Sequence, residues 1–510
     1  MVFSQIAFLY FFLPCMMLLY FAAGIVRSSD AGLRIRNIII LITGLIFYAW
    51  GEPFYVVIML ISTLIDFFAG RYMDKHDGDD KKRRKALIVS VCMNIGLLAV
   101  FKYSDFLTDS INAMAGSDIT NPVLYIARGL NRIAPFGLDE HKVRLPIGIS
   151  FYTFQSMSYT IDLYMRRIKV QKSPLRFAAY VTLFPQIVAG PIVRYEEVEK
   201  ELEHRSVTAE RISSGIGMFV KGLCKKVLLA NNIGALWAEI KAQDYAAMPA
   251  LTAWLGILAF TFQIYFDFSG YSDMAVGLGR MMGFEFPKNF DHPYISKSVS
   301  EFWRRWHITL GSWFRSYVYI PLGGNRKGLP RTLLNLLIVW ALTGLWHGAS
   351  WNFVLWGLYF GLLIIMEKLF LGKLLEKLPK PVSIGYTFLM AVFGWVLFDT
   401  DSLDGAAKYL GAMFGAGGRF ADSVSLYHLS CYAAIFAICA FVASGIFTRL
   451  VSAADNFIKN KADTFPDSAG RAAVIISRQL ILTILQISAV AVCTMYLLSS
   501  AYNPFLYFRF

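Results

Sequence analysis

Long apolar blocks separated by short polar loops dominate the 510-residue chain. A helix needs roughly 20 apolar residues to cross a bilayer. The backbone finds no hydrogen-bond partner in lipid, and the alternating pattern of a β-barrel is absent, so the spans should be helices. The pattern predicts an all-α polytopic membrane protein with about 11–12 membrane helices. The apolar blocks lie near residues 3–26, 37–50, 54–70, 86–106, 146–165, 176–192, 215–236, 250–279, 332–349, 351–371, 382–398, 427–448 and 473–502.

Several of these blocks contain proline or glycine, as in "LFPQIVAGPIV" at 183–193. Such a block predicts a bent or re-entrant helix, which is tolerated where protein or water satisfies the freed backbone groups. No internal repeat is visible, which argues against a transporter built from inverted repeats. We therefore expect a single transmembrane domain over residues 1–510.

The composition agrees with a membrane protein: 56% of residues are hydrophobic and only 16% are charged, against about a quarter charged in soluble proteins. The net charge of +14 could suggest nucleic acid, but the basic residues cluster in loops between spans. Lysine and arginine are enriched in cytoplasmic loops. We therefore expect these loops to be cytoplasmic, both termini to be external, and no nucleic-acid partner. The clusters lie at 27–36, 81–85, 166–172, 221–226, 323–331 and 449–478.

The stretch "EFWRRWHITLGSWFRSYVYIPLGG" at 301–324 combines aromatic and basic residues. As one continuous helix, it would have an apolar stripe through Trp303, Trp306 and His307. Placing its arginines in contact with lipid would cost too much free energy for an ordinary membrane span. The pattern therefore favours a helix at the membrane interface or one that lines a water-filled cavity. An aromatic belt with snorkelling arginines is the alternative.

A second histidine, His347, lies in "WALTGLWHGASWNFVLWGLYFG" at 340–361. A single histidine in such a block is usually a packed core residue, but His307 and His347 each follow a tryptophan directly. We expect the two to face one cavity with side chains within roughly 15 Å, well below the roughly 30 Å thickness of the bilayer core.

Other polar residues also fall inside apolar blocks, and each is a functional candidate by default. Contacts between helices are the alternative role for any one of them. Together they predict a central polar funnel or channel. These residues are Asp66, Gln155, Asp162, Asp267 and Asp273.

Four blocks together resemble a known family, the membrane-bound O-acyltransferases. The similarity is to the bacterial branch that contains alginate O-acetylase, peptidoglycan O-acetyltransferase and the teichoic acid D-alanyl transferase. It is strong over a core of about residues 1–370 and looser over the additional spans at 371–502 and the tail at 503–510. The blocks are "LPIGISFYTFQSMSYTIDLY", "LFPQIVAGPIVRYEEV", "FWRRWHITLGSWFRSYVYIPLGGNRKG" and "LTGLWHGASWNFVLWG".

The resemblance implies a funnel with a narrow passage between the two membrane faces. His347 and His307 match the two histidines of the family. We expect His347 to act as the base that takes the proton of an acceptor hydroxyl, and His307 either to position substrate or to stabilise charge. Further candidates for the funnel wall and for substrate positioning are Trp303, Arg304, Arg305, Trp306, Gln155, Asp273 and Asn352.

The expected reaction transfers an acyl group, most directly acetyl, from a cytoplasmic donor to hydroxyls of an extracytoplasmic polysaccharide, with an alginate-type polymer favoured. The donor would be acetyl-CoA or the thioester of an acyl-carrier protein, used as substrate, with no bound cofactor. No metal is expected, because a His–His site lacks a third ligand. We expect a bacterial inner-membrane location, a separate extracytoplasmic acyltransferase as partner, and a cytoplasmic donor protein where the donor is a carrier.

Two alternatives remain open at this point. One is D-alanyl or peptidoglycan acyl transfer by the same chemistry. The other is transport of a polymer or a lipid-linked sugar, which the number of spans and the intramembrane carboxylates would also suit.

The chain ends in "YNPFLYFRF" at 502–510. "PFLYF" resembles a C-terminal motif of this acyltransferase branch that, in the D-alanyl systems, sits on a separate single-span protein. The tyrosine there is proposed to carry the acyl group outward. The resemblance makes Tyr507 a candidate acyl relay, and an interfacial aromatic anchor is the alternative.

Overall fold

The computed structural model describes residues 1–25, 29–133, 139–463, 468–499 and 506. Within these residues the chain is helical and contains no strand. The first half contains α1 (Leu13–Ala22), α2 (Ser29–Ala49), α3 (Val56–Lys75), α4 (Asp80–Leu98), α5 (Ser104–Ala115), α6 (Pro122–Ile133), α7 (Ile149–Tyr164), α8 (Pro174–Val181), α9 (Phe184–Ile187), α10 (Tyr195–Glu203), α11 (Ala209–Cys224) and α12 (Asn231–Lys241).

The second half begins with the longest buried helix and ends with a long peripheral one. It contains α13 (Ala250–Met281), α14 (Val299–Arg305), α15 (Ile308–Phe314), α16 (Leu329–His347), α17 (Trp351–Met366), α18 (Gly372–Lys377), α19 (Lys380–Asp399), α20 (Leu403–Met413), α21 (Ser423–Ala443), α22 (Ile446–Asp463) and α23 (Ser468–Ser499). Short π-helical segments at Phe8–Phe12, Ala99–Tyr103, Lys225–Ala230, Arg315–Tyr319 and Glu367–Leu371 join or extend these helices, and 3₁₀ turns occur at Ala23–Ile25 and Pro293–Ile295.

Ten helical segments in the described part of the chain are long and apolar enough to cross a membrane. This is fewer than the sequence predicted, because some apolar blocks form shorter elements. The block at 146–165 gives a helix of 16 residues, and the block at 176–192 divides into α8 and α9. The ten segments are Phe8–Ile25, Asp30–Ala49, Val56–Lys75, Asp80–Ala115, Ala250–Met281, Leu329–His347, Trp351–Lys377, Lys380–Asp399, Ser423–Ala443 and Ala469–Ser499.

Helix α13 forms the centre of the molecule, and 83% of the residues in its most apolar 18-residue stretch are buried. It crosses α11 at two pairs of glycines, Gly215 with Gly277 and Gly222 with Gly270, where an added Cβ at any one of them would meet the backbone of the other helix. Small residues let membrane helices approach closely and gain van der Waals contact. The glycines of this sequence therefore fix how closely α11 and α13 pack.

The stretch at 301–324 is not the single helix that the sequence predicted. Helix α14 ends at Arg305, Trp306 is extended, and His307 adopts a left-handed conformation with φ 46° before α15 begins. At the break, the backbone forms a hydrogen bond with a preceding loop instead of with the helix: the Ile308 N–H donates to the Asn289 carbonyl at 3.0 Å. The prediction of one continuous helix was wrong because this loop competes for its hydrogen bonds.

Candidate active site

His347 is the last residue of α16, at a point where two membrane helices nearly touch. One turn earlier, Gly344 packs against α17, and a Cβ there would meet the Phe353 backbone and the Cα of Gly357. Gly348 follows in an extended conformation, and α17 begins at Trp351. The break in the helical path thus places His347 at an end of α16 that lies inside the protein.

The His347 side chain is only 3% exposed and is enclosed by aromatic rings. The centroids of Trp346 and Trp356 each lie 4.9 Å from its ring, and that of Phe398 lies 5.3 Å away. Neither ring nitrogen has a hydrogen-bond partner among the described residues. Buried polar atoms are nearly always paired, so the two unpaired nitrogens of this imidazole mark it as a functional candidate.

Lys102 caps the end of α16 and was not singled out from the sequence. Its ammonium group donates to the carbonyl of Trp346, to the carbonyl of His347 at 3.3 Å and to the Ser150 hydroxyl at 3.2 Å. The last carbonyls of a helix lack partners within the helix and favour a cation. The sequence signal that could have identified Lys102 is its position inside the apolar block 86–106, because burying a basic residue in a membrane helix costs free energy and is rare without a function.

His307 is equally enclosed, with 2% exposure, but it has one defined partner. Its Nδ1 lies 3.1 Å from Oδ1 of Asn289, whereas Nε2 has no hydrogen-bond partner among the described residues. The centroid of the Phe268 ring lies 4.7 Å from that of His307. The ring is therefore held by a hydrogen bond at Nδ1, while Nε2 has no such bond in the described structure.

The two histidines share a neighbour. The Trp346 ring centroid lies 5.7 Å from that of His307 and 4.9 Å from that of His347. The distance between the two imidazole centroids cannot exceed the sum of these two values. The prediction that the two side chains lie within roughly 15 Å of each other, about half the thickness of a bilayer core, is therefore confirmed.

A cavity of about 620 Å³ opens beside His307, and we call it the arginine cavity. Arg304 and Arg315 line it and have no ion-pair or hydrogen-bond partner within the described ranges. Its remaining lining residues are Ser300, Trp303, Trp306, His307, Ile308, Leu310, Gly311, Ser312, Phe314, Tyr319, Leu336, Val339, Trp340 and Thr343. The cavity is apolar with two free guanidinium groups.

A second cavity of about 1060 Å³, the mixed-charge cavity, lies beyond His347. It is lined by charged groups of both signs together with the residues that follow His347. Burial raises the pKa of Glu52, and Arg144 opposes this effect. The charged and polar lining residues are Glu52, Lys102, Asp105, Asp109, Ser110, Lys142, Arg144, Ser350, Asn352, Asp401 and Ser402.

The end of α16 separates the two cavities. Thr343, one turn before His347, lines the arginine cavity, while Gly348, directly after it, lines the mixed-charge cavity. We call His307, Trp346 and His347 the barrier: His307 lines the arginine cavity, whereas Trp346 and His347 line neither cavity and lie in the chain between Thr343 and Gly348.

The remaining predicted site residues divide by location. Asn352 lines the mixed-charge cavity, and its amide donates to the Thr400 carbonyl at 2.7 Å. Gln155 instead donates to the Tyr180 carbonyl at 3.0 Å, and Asp273 pairs with Lys225 at 2.8 Å. Neither Gln155 nor Asp273 lines the two cavities, and both connect helices.

The aromatic and basic residues before His307 also differ from one another. Trp303 and Trp306 both line the arginine cavity. Arg305 does not: it pairs with Glu301 at 2.8 Å and donates to the Asp291 carbonyl at 3.3 Å.

The predicted relay residue, Tyr507, lies outside the described residues. Its described neighbour Leu506 is buried, and the Leu506 N–H donates to Oδ2 of Asp267 at 3.0 Å. Asp267 also pairs with Lys226 at 2.6 Å. Leu506 is therefore hydrogen-bonded to α13 at Asp267, which is directly followed by Phe268, a neighbour of the His307 ring.

Comparison with known proteins agrees with this architecture. The family model described as "MBOAT, membrane-bound O-acyltransferase family" matches residues 42–376. A probable alginate O-acetylase from Pseudomonas putida is 40% identical over 425 residues, covering 82% of this chain and 81% of that protein. A peptidoglycan O-acetyltransferase from Helicobacter pylori is 31% identical over 460 residues, covering 84% of this chain and 82% of that protein.

A more distant relative covers less of the chain. A teichoic acid D-alanyltransferase from Bacillus subtilis is 28% identical over 276 residues, which is 49% of this chain and 68% of that protein.

Proposed function

The chain belongs to the membrane-bound O-acyltransferase family and is an O-acyltransferase, and we propose that it passes an acetyl group across the membrane through the barrier at His307, Trp346 and His347. The observation that carries this proposal is the pair of cavities separated by the end of α16. A donor in the arginine cavity and an acceptor from the mixed-charge cavity would meet there.

The arginine cavity receives the donor in this proposal. Its apolar wall suits the arm of a thioester, and its free guanidinium groups, Arg304 and Arg315, suit an anionic part of the same molecule. The donor is acetyl-CoA or an acyl-carrier protein thioester. The loops at 71–85 and 323–331 lie on the cytoplasmic face, which is the side from which the donor enters.

The chemistry requires a base and a place for the leaving group. The acceptor hydroxyl oxygen attacks the thioester carbonyl, a C–O bond replaces the C–S bond, and the hydroxyl proton passes through the base to the thiolate. We assign the base to His347, because its ring is buried at the barrier, has no partner on either nitrogen in the described structure, and a neutral imidazole accepts a proton near neutral pH.

The final acceptor is an extracytoplasmic polysaccharide, with an alginate-type polymer favoured because the relatives at 38% to 40% identity carry the name alginate O-acetylase. Peptidoglycan and D-alanyl acceptors are the alternatives that the other relatives' names suggest. The chain lies in the bacterial inner membrane, and a separate acyltransferase outside the cytoplasm completes the transfer to the polysaccharide. Tyr507 carries the acyl group from the barrier to this partner.

The test is the variant His347→Ala in cells that lack their own copy of the protein. Removing a general base lowers the rate by roughly a hundredfold or more, so ester-linked acetyl on the surface polysaccharide should fall to background while membrane abundance is kept. His428→Ala is the matched control, because His428 is also buried but lies in α21, whereas His347 lies at the end of α16 beside Trp346. Undiminished acetylation in His347→Ala at normal abundance would contradict the proposal.

A further inference from the structure

The surroundings of His307 determine where its proton sits. Oδ1 of Asn289 accepts from the Thr309 N–H at 3.3 Å and from the Thr309 hydroxyl at 3.0 Å, and it lies 3.1 Å from His307 Nδ1. Amide oxygen and nitrogen must be told apart by their partners. A backbone N–H can only donate, so the Asn289 atom that faces Thr309 and His307 is the oxygen.

The other end of the same amide is compatible with this orientation, because a serine hydroxyl can accept from an N–H as well as donate. Nδ2 of Asn289 donates to the Ser272 hydroxyl at 3.1 Å, and Asn289 is only 2% exposed. Flipping the amide would set an NH₂ group against the Thr309 N–H, with no acceptor between them. Such a buried mismatch costs about 1–3 kcal/mol for each unsatisfied group.

An oxygen opposite Nδ1 means that Nδ1 carries the hydrogen. Neutral imidazole has a single N–H and one bare nitrogen, so Nε2 of His307 bears the lone pair. Nε2 has no hydrogen-bond partner in the described part of the chain, and the ring lines the arginine cavity. His347 differs, because it has no orienting partner on either nitrogen among the described residues.

We propose that Asn289 is a positioning residue that holds His307 with its proton on Nδ1, so that His307 accepts a hydrogen bond or a proton from substrate and offers no N–H to a developing oxyanion. The sequence left both roles open for His307. The group that meets Nε2 is an O–H or N–H of the molecule in the arginine cavity, such as an amide of a thioester arm. This inference rests on the proposed function for its meaning in catalysis.

The charged and titratable groups around His307 make Asn289 a clean position to vary. His347 and Lys102 lie beyond Trp346, and Arg304 and Arg315 line the same cavity as His307. No described carboxylate bonds to the His307 ring. Replacing the neutral amide by a carboxylate therefore adds the first acidic partner to this imidazole.

Two variants separate positioning from a merely structural role. Asn289→Asp keeps the accepting oxygen, and the Ser272 hydroxyl can rotate to donate to the second oxygen. A carboxylate favours the charged imidazole, so the acid limb of the pH–rate profile should move up by about one pH unit or more. Asn289→Leu removes the acceptor and should release the proton to either nitrogen. Ser272→Ala alters the far end of the amide and should leave the acid limb at its wild-type position.

The direct readout is nitrogen NMR of full-length protein in detergent, labelled on its seven histidines, with the His307 signal assigned from His307→Gln. In the wild type and in Asn289→Asp, Nδ1 should be protonated and Nε2 bare at neutral pH. In Asn289→Leu the signal should become a mixture of tautomers.

A wild-type His307 with its proton on Nε2 would overturn the inference, as would an Asn289→Leu protein with unchanged spectrum and pH profile. If Asn289→Leu does not fold, the wild type and Asn289→Asp still decide the question. The spectrum needs no acyl transfer, so this inference and the proposed function can fail independently.

Discussion

Arg304 and Arg305 are consecutive in the chain but have different surroundings. Arg304 lines the arginine cavity without a partner in the described residues, whereas Arg305 pairs with Glu301. An arginine already bound to a carboxylate has little left to offer a substrate. Of the two, only Arg304 is available to an anionic donor.

This difference predicts different kinetic effects for two matched variants. Arg304→Gln should raise the KM for the donor by about threefold to tenfold with kcat little changed, because a contact at a partly exposed site is worth roughly 1 kcal/mol. Arg305→Gln should leave the KM at its wild-type value. The measurement is the initial rate against donor concentration for both proteins, and equal KM values for the two would contradict the assignment.

Tyr507 is tested by the loss of a single hydroxyl. Tyr507→Phe keeps the apolar bulk of an interfacial anchor but cannot form an ester, so polymer acetylation should fall to background at normal membrane abundance. Wild-type acetylation in this variant would exclude the relay and leave the anchor.

For individual residues, the sequence selected the two candidate histidines but not their surroundings. His307 and His347 could be selected because each follows tryptophan in a block where ionisable residues are costly. The partner of His307 could not, because Asn289 lies in a loop 18 residues away and its role depends on which amide atom faces the ring. Gln155 and Asp273 were candidates because they lie inside apolar blocks, and the contacts of both join helices, which was the alternative role considered for such residues.

Helix α16 connects packing to the site. Gly344 lets α16 approach α17, and the capping group Lys102 binds the carbonyls at the end where His347 lies. A change in this crossing should therefore disturb both stability and the barrier.

Gly344→Ala tests the crossing. The added methyl meets the Phe353 backbone and should lower the free energy of unfolding by about 1–3 kcal/mol, as overpacking does. Gly385→Ala on α19 is the control, because its added Cβ has no neighbour within 4 Å. Thermal unfolding of the two proteins in detergent gives the comparison, and equal midpoints would contradict the role of the crossing.

At the scale of elements, periodicity found the long spans and failed at the broken ones. The apolar blocks that became α2, α3, α13 and α16 were visible because their length and composition are sufficient. The break at His307 was not, because it depends on hydrogen bonds from a loop that is separate in sequence. Short helices inside a membrane protein are fixed by tertiary contacts, which periodicity does not record.

The whole molecule is a multi-pass membrane protein with one cavity that reaches Thr343, just before His347, and another that reaches Gly348, just after it. Its helical class and its family could be inferred from sequence and are confirmed by the family match over residues 42–376. The sequence and the family resemblance predicted a funnel with a narrow passage, but the residues that line the two cavities could not be inferred, because their walls combine α5, α14 to α17 and loops far apart in the chain. The predicted orientation, with both termini external, stays a prediction.

The central claim is that an acyl group crosses the barrier while the rest of the donor stays behind. Inverted inner-membrane vesicles expose the cytoplasmic face, so a thioester donor labelled separately on its acetyl group and on its carrier portion can be added outside. The acetyl label should appear on acceptors in the lumen, the carrier label should remain outside, and His347→Ala vesicles should accumulate neither. Entry of both labels together, or entry that does not depend on His347, would contradict it.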